Sequence, residues 1–377
     1  MRFLHTADLH LGKRMNEVNL LEDQMEILRQ ITAIAAGQKV DAVLIAGDVY
    51  QKSSPPGEAM TLFNDFITGL TERGMKVFII SGNHDDARRI AYFSQLLRQN
   101  GVYVTGRFDG RLQNVVLEDD HGPLVVSMLP FLRPSMVRAF FPEADIHTTE
   151  EAVTAVLASS PMSLGGRHVL LAHQFVVGAE TSESEELSVG GLDQVSAQLF
   201  RAFDYVALGH IHKPQAMGRP TLRYAGSPLA YSFSEAGQEK SVSIVELGAM
   251  GEVTVEPVPL RPLHRVREVR GSLSEVMDLP YSEDYVRVTL TDELVAPDAR
   301  ITVSTVFPNM MKFAVENSAS RWEQNVTAGE SVEDKTVQEL FDDFYRLQNG
   351  GAAPSPEQMA VLEDVLRQLE EGQDETD

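Results

Sequence analysis

Six short runs of apolar, largely β-branched residues recur in the first 250 positions, and they constrain the fold more than any other feature of the chain. They are RFLHTA (2–7), DAVLIAG (41–47), KVFIISG (76–82), LVVSML (124–129), HVLLAH (168–173) and DYVALGH (204–210). Most are apolar at consecutive positions, the pattern of strands covered on both faces. Helical periodicity lies between several of them. Leu21, Met25, Leu28 and Ile31 share one face. Met60, Phe63, Ile67 and Leu70 share another, after a Ser-Ser-Pro-Pro-Gly start suited to a helix N-terminus. Ile90, Phe93 and Leu97 make a third, closed by Asn100-Gly101. The order β-α-β-α-β predicts an α/β fold with helices layered on sheet.

From Val266 the texture changes. HRVREVRGSLSEVMDL and DYVRVTLTD read as a strand, a helix and a strand of a small α+β unit ending near MMKFAVENS. EQNVTAGESVED is polar and linker-like. Two short amphipathic helices follow, the first with Val337, Leu340, Phe341, Phe344 and Tyr345 on one stripe, the second with Met359, Leu362, Leu366 and Leu369.

Composition excludes several chemistries. The 377 residues hold no cysteine, which removes disulfides, thiolate metal sites and thiol nucleophiles together. No apolar run suits a signal peptide or a membrane span, so a soluble, cytoplasmic protein with no membrane partner is expected. The net charge of −23 argues against a chain coated in positive charge for nucleic acid. The charge is uneven, however: from Glu323 onward there are 15 acidic and 3 basic residues, leaving −11 for residues 1–322.

The residues after each apolar run carry the chemistry. After the first come Asp8 and His10, and after the second Asp48. After the third, in ISGNHDDARR, come Asn83, His84 and Asp85. His173 closes the run at 168, and His210 and His212 end or succeed the run at 204. Sites in open α/β sheets form at the carboxyl ends of strands. Turn chemistry accounts for one such cluster but not for five with this choice of side chains. Hard oxygen donors mixed with imidazole suit Mn, Fe or Zn, and seven such ligands serve two ions sharing a carboxylate, the arrangement for in-line displacement at phosphorus. His5, His121, His147, His168 and His264 match no pattern and read as ordinary polar residues.

In the order DLH…GDV…GNHD…H…GHIH the chain resembles the calcineurin-like metallophosphoesterases. MRFLHTADLHLGK, DAVLIAGDVYQKSSPP, GHIHKPQ and YAGSPLAYSFSE resemble, within them, the SbcD family of bacterial nuclease subunits. The resemblance is close over the first 240 or so residues and weaker beyond. It implies a sheet sandwich flanked by helices over 1–265, a small α+β DNA-capping domain over 266–322, a linker at 323–333, partner-binding helices over 334–371 and an acidic tail at 372–377. It also implies that Asp8, His10, Asp48 and His212 hold one ion. Asp48, Asn83, His173 and His210 would hold the second, with Asp48 bridging and Mn2+ the expected metal. His84 would not be a ligand but would protonate the leaving oxygen. Asp85 would orient the His84 ring, or cap the helix beyond it. Gln51 departs from the family, which often has Asp or His there, and leaves the balance of exonuclease and endonuclease action open.

DNA contacts are expected first from Lys13, Arg14 and Lys213, by adjacency to the motifs. The family implies a homodimer formed by the helices at 58–72 and 88–99. It also implies docking of Leu340, Phe341, Phe344 and Tyr345 on the coiled-coil root of the SbcC ATPase. The reading is therefore a two-metal DNA nuclease acting at duplex ends, hairpins or blocked ends under ATPase control. A phosphomonoesterase, a small-molecule phosphodiesterase and a catalytically silent scaffold are its rivals.

Overall fold

A computed structural model describes residues 1–160, 166–185, 193–249, 251–318, 337–348 and 353–362. Its main elements run β1 (Arg2–Thr6), α1 (Leu21–Gly37), β2 (Ala42–Ala46), α2 (Gly57–Thr71), β3 (Lys76–Ile80), β4 (Val102–Thr105), β5 (Gln113–Asp119), β6 (Gly122–Leu129), α3 (Thr149–Ala158) and β7 (Arg167–His173). They continue with β8 (Tyr205–Gly209), β9 (Gln215–Met217), β10 (Arg219–Tyr224), β11 (Ser241–Leu247) and β12 (Val253–Pro259). Last come β13 (Val266–Gly271), α4 (Leu273–Met277), β14 (Tyr285–Leu290), α5 (Ala299–Ser304), β15 (Met310–Val315) and α6 (Val337–Gln348).

Two six-stranded sheets make the larger unit. One has the order β12-β11-β1-β2-β3-β4, with β1 to β4 parallel and β11 and β12 antiparallel. The other has the order β9-β10-β8-β7-β6-β5, parallel from β10 to β6. The strand period of two explains why the apolar runs are continuous. Phe3, Ala42, Leu44, Phe78 and Ile80 turn toward Val126, Met128, Val169, Leu171 and Ala207 of the second sheet. Their sequence neighbours Leu4, Val43, Ile45, Val77 and Ile79 turn the other way, onto Ile27, Leu28 and Ile31 of α1 and Phe63, Phe66 and Leu70 of α2. The outer face of the second sheet packs likewise on Ala152, Val153 and Val156 of α3. A strand covered on both faces has no polar register, and the α/β sandwich is the architecture expected.

The helical faces differ from the sequence reading. In α1 the buried stripe includes Asp23 and Gln24, and Met25 is exposed. In α2 Ala59 and Phe66 are buried and Met60 is exposed. The third face does not form one helix: Phe93 sits at φ 63° between turns at Ala87–Ile90 and Ser94–Arg98, and its side chain is exposed. Periodicity counts only apolar residues, so it cannot see a polar side chain that buries by making hydrogen bonds.

The chain divides into two compact units. The larger comprises Met1–Glu268, Tyr281–Arg287 and Phe307–Lys312; the smaller comprises Val269–Pro280, Val288–Val306 and the residues from Phe313. Strands β13, β14 and β15 form a three-stranded sheet in that order. Ser272 and Glu275 close a capping box on α4. On α6, Phe344 is exposed and Leu340, Phe341 and Tyr345 are half-buried. Residues 323–333 and 372–377, together with Leu366 and Leu369, lie outside the described residues. Among the described residues no helix is long and apolar enough to cross a membrane.

Candidate metal centre

All five sequence clusters meet at the carboxyl ends of β1, β2, β3, β7 and β8. The loops after β1 and β2 run side by side, with the Asp8 amide donating to the Gly47 carbonyl (3.1 Å) and the His10 amide to the Asp48 carbonyl (3.0 Å). Asp8, His10, Asp48 and His210 all take positive φ, at 53°, 43°, 48° and 104°. Such backbone costs on the order of 1–3 kcal/mol per residue and persists only where surrounding structure imposes it. His173 is the last residue of β7, in register with Gly209 at the end of β8. Gly209 has no substitute: a Cβ there would lie 1.9 Å from the Ala46 carbonyl and 2.8 Å from His173 Nδ1.

The side chains converge on Asp48. Its Oδ2 lies 3.4 Å from His173 Nε2, 3.7 Å from His10 Nε2 and 4.0 Å from His84 Nε2. To one side, Asn83 Oδ1 is 3.1 Å from His173 Nε2 and 3.0 Å from His210 Nδ1. To the other, His10 Nε2 and His212 Nε2 are 3.0 Å apart. Asp8 accepts the His210 amide and offers a ligand atom within 4.8 Å of those of His10 and His212, and likewise of Asp48 and His173.

This arrangement fits divalent cations. His173 Nδ1 donates to the Ala46 carbonyl at 2.8 Å, so in the neutral ring Nε2 carries a lone pair. That lone pair faces two oxygens, those of Asp48 and Asn83, and acceptors facing acceptors require a proton or a cation between them. Without one, burial disfavours charge on the ring, but Asp48 and Asp8 override it and raise the imidazole to about 9. Asp48 is itself held below the carboxylate range: burial opposes this, and the charge and hydrogen bond of His173, with His10 and His84, prevail. Asp8 is pushed up to about 7, by burial first, with the Asp48 charge adding to it. Burial lowers His10, and lowers His210 to about 3, so both rings are neutral and offer a lone pair at ordinary pH. His10 Nδ1 is buried with no partner among the described residues. Oxygen and imidazole donors in this mixture are those of Mn, Fe or Zn sites.

His84 stands apart. Its side chain is 11% exposed, against 3% or less for Asp8, His10, Asp48, His173 and His212. Its amide donates to Asp48 Oδ1 at 2.9 Å, and its Nδ1 faces the Gln51 carbonyl at 3.2 Å. The Asp85 carboxylate accepts three backbone amides, from Gly82, Val49 and Tyr50, at 2.9 to 3.1 Å. Asp85 thereby ties the loop carrying Asn83 and His84 to the loop carrying Asp48. The cap of the next turn is Asp86, which accepts from the Arg88 and Arg89 amides; capping by Asp85 does not occur. Of the basic residues expected near DNA, Lys213 pairs with Glu180 and Arg14 lies 3.8 Å from Glu17. Lys13 sits 5.6 Å over the Tyr231 ring.

Sequence reasoning assigned no role to Ser184, Glu235 or Gln24. Gln24, buried on α1, donates to the His10 carbonyl at 2.8 Å and accepts from the Gly12 amide at 3.0 Å. The signal was a polar residue in helical register with Leu21, Leu28 and Ile31. His5 also differs from expectation: it is fully buried between Tyr205 OH (2.8 Å) and the Leu208 carbonyl (3.1 Å), and burial lowers it to about 3.

A profile of the calcineurin-like phosphoesterases matches residues 1–214, over the whole strand-end cluster. The chain belongs to the calcineurin-like phosphoesterase family. Membership implies divalent metals, in agreement with the donor set. A second profile, the type 5 capsule protein repressor C-terminal domain, matches residues 259–349. The chain is 30% identical to the SbcD subunit of the nuclease SbcCD from Staphylococcus epidermidis, over 92% of its length and 93% of that protein. It is 28% identical to the protein of the same name from Staphylococcus saprophyticus, over 99% of this phosphoesterase and 100% of the relative.

Proposed function

We propose that this phosphoesterase is a two-metal DNA nuclease of the SbcD kind. It hydrolyses phosphodiester bonds at duplex ends, hairpins or blocked ends, controlled by an SbcC-type ATPase, in DNA repair and recombination. The observation that carries the reading is the convergence of seven metal-competent side chains around Asp48, itself one of them, with His84 beside them and more exposed than the six aspartates and histidines of the set. The near full-length likeness to proteins named as nuclease subunits supports the choice of substrate.

In this reading Asp8, His10, Asp48 and His212 hold one ion and Asp48, Asn83, His173 and His210 the other, with Mn2+ as the favoured metal. Bound divalent ions supply charge neutralisation at the phosphoryl oxygens and a water of lowered pKa. The protein supplies positioning and a proton. His84 Nδ1 donates to the Gln51 carbonyl, which leaves Nε2 on the side of the ligand cluster, 4.0 Å from Asp48 Oδ2. With His84 protonated on both ring nitrogens, the Nε2 proton passes to the leaving oxygen as the ester P–O bond breaks and the oxygen of an already deprotonated water bonds to phosphorus. Asp85 keeps the His84 loop in register with Asp48 through its three amide contacts.

DNA binding draws on a groove of about 520 Å³ that begins at Ala87 and Arg88, just after the Asn83–Asp85 cluster. Arg88, Arg98, Arg107 and Arg111 line it, and none of the four is ion-paired among the described residues. Its one carboxylate, Asp109, accepts from the Gln113 amide at 2.9 Å. Four guanidinium groups without an ion pair among the described residues, in so acidic a chain, suit a phosphate backbone. Exposed Tyr92, Phe93, Leu96 and Met60 support a homodimer through this region. The stripe on α6 supports docking of the ATPase.

The test is Mn2+-dependent release of nucleotides from linear duplex DNA, with a phosphate monoester as competing substrate. Nucleotide release with the monoester untouched is expected. Monoester turnover with intact DNA would assign a phosphomonoesterase instead. No turnover of either, with the ATPase and ATP present, would leave a scaffold.

A further inference from the structure

His173 and His212 are held by different means. His173 Nδ1 is fixed by a backbone carbonyl, Ala46, which no substitution removes. His212 Nδ1 is fixed by side chains. It lies 2.6 Å from Ser184 Oγ, and Ser184 Oγ lies 2.5 Å from Glu235 Oε1. Glu235 is fully buried, and its other oxygen accepts from Lys240 Nζ at 2.5 Å. Lys240 is also buried and donates to the His212 carbonyl at 2.9 Å and to Ser227 Oγ at 3.1 Å.

The direction of each bond follows from the inventory of donors. An ammonium only donates, and the carboxylate paired with it only accepts. The single Ser184 proton therefore goes to Glu235. Ser184 must then accept from His212, which fixes the proton on Nδ1 and the lone pair on Nε2, the atom facing His10 Nε2.

We propose that Ser184 and Glu235, anchored by Lys240, are positioning residues that set the tautomer and aim of His212 toward the ion it shares with His10. The proposal rests on the two-metal reading of the site. It makes the two ions unequal: the His10–His212 ion depends on a removable side-chain relay, whereas the His173 ion does not. Removing a partner behind a metal-bound imidazole typically weakens the metal 10- to 100-fold.

The test uses the full chain, with Ser184→Ala as the main variant and Ser184→Thr as the conservative one. Calorimetric titration of the metal-free protein with Mn2+ gives the two affinities. Long-range proton–nitrogen NMR of the metal-free protein gives the His212 tautomer. In Ser184→Ala one Mn2+ affinity falls 10- to 100-fold, the other is unchanged, and His212 becomes a tautomer mixture. Ser184→Thr restores both. Two wild-type affinities in Ser184→Ala, or an unchanged His212 tautomer, overturn the proposal. Equal weakening of both ions reduces the relay to a fold effect and overturns it as well. Wild type that fails to bind two Mn2+ overturns the two-metal reading itself, and the wild-type titration alone would reveal that.

Discussion

Gly82→Ala is the smallest change that tests how the centre is built, and its size follows from the packing around Asp48. A Cβ on Gly82 would lie 2.0 Å from Asp48 Oδ1 and 2.5 Å from the Asp48 amide. Ordinary contact begins at 3.4 Å, so the carboxylate contact alone falls short by 1.4 Å. The Asp48 backbone cannot move to make room. Its carbonyl accepts from His10, and the next two amides along the chain donate to Asp85. The carboxylate must swing, giving up the His84 amide at 2.9 Å and its place 3.4 Å from His173, and the Gly82 backbone must itself shift to relieve the contact with the Asp48 amide. Overpacking of this kind costs about 1–3 kcal/mol. At about 1.4 kcal/mol per tenfold, Mn2+ affinity falls roughly 5- to 150-fold. Because both ions share Asp48 in the proposed centre, both weaken. A displacement of an ångström at a reacting centre costs about 10²-fold in rate. The assay is Mn2+ titration of EDTA-stripped protein, with DNA cleavage measured at saturating Mn2+. Gly57→Ala, where an added Cβ meets nothing within 4 Å, is the control. Wild-type affinity and cleavage in Gly82→Ala would refute the packing argument.

Metal binding releases protons at low pH. Metal-free Asp8 near 7 and His173 near 9 both carry a proton at pH 6 that a cation must displace, so Mn2+ affinity rises toward pH 9 and proton release diminishes toward that pH. Calorimetry in buffers of different ionisation heat measures this, and buffer-independent heat at pH 6 contradicts it. The same shifts set metal-free stability. A histidine raised from 6.5 to about 9 stabilises fully below pH 6.5 and loses that contribution as pH climbs to 9, so the metal-free Tm falls across this window. Arg107→Glu with Arg111→Glu weakens duplex DNA binding at least ~10-fold and flattens its salt dependence, with Mn2+ affinity unchanged; unaltered DNA binding removes the groove from the interface. Phe344→Asp abolishes co-purification with the ATPase while Mn2+-dependent cleavage persists, and normal co-purification excludes α6 as the docking element.

Much of the centre was legible because each part is local. A β-branched run and the polar residues after it form one contiguous word; parallel strands deliver those words to one edge of each sheet, and the packing of the two sheets brings the two edges together. All seven expected ligands and His84 therefore converge where strand order predicts. Contacts between distant segments were not legible. Nothing near His212 announces that Ser184 and Glu235 stand behind it, although Glu235 lies in YAGSPLAYSFSE, a stretch that carries the family resemblance. Helix faces failed for a related reason. Gln24 buries by hydrogen-bonding the His10 loop, which rotates the apolar stripe and exposes Met25. The cap moved by one residue, from Asp85 to Asp86, because Asp85 finds three amides across the loop that local pattern cannot reveal.

In the proposed centre His84 delivers a proton and the seven other side chains hold metal. The most direct measurement compares wild type and His84→Ala for bound Mn2+ per chain and for cleavage of linear duplex DNA in the same preparation. Two Mn2+ per chain in both proteins, with cleavage reduced at least ~10²-fold in the variant, is the predicted result. Loss of Mn2+ together with cleavage would make His84 a ligand and contradict that division of roles, as would full cleavage without the imidazole.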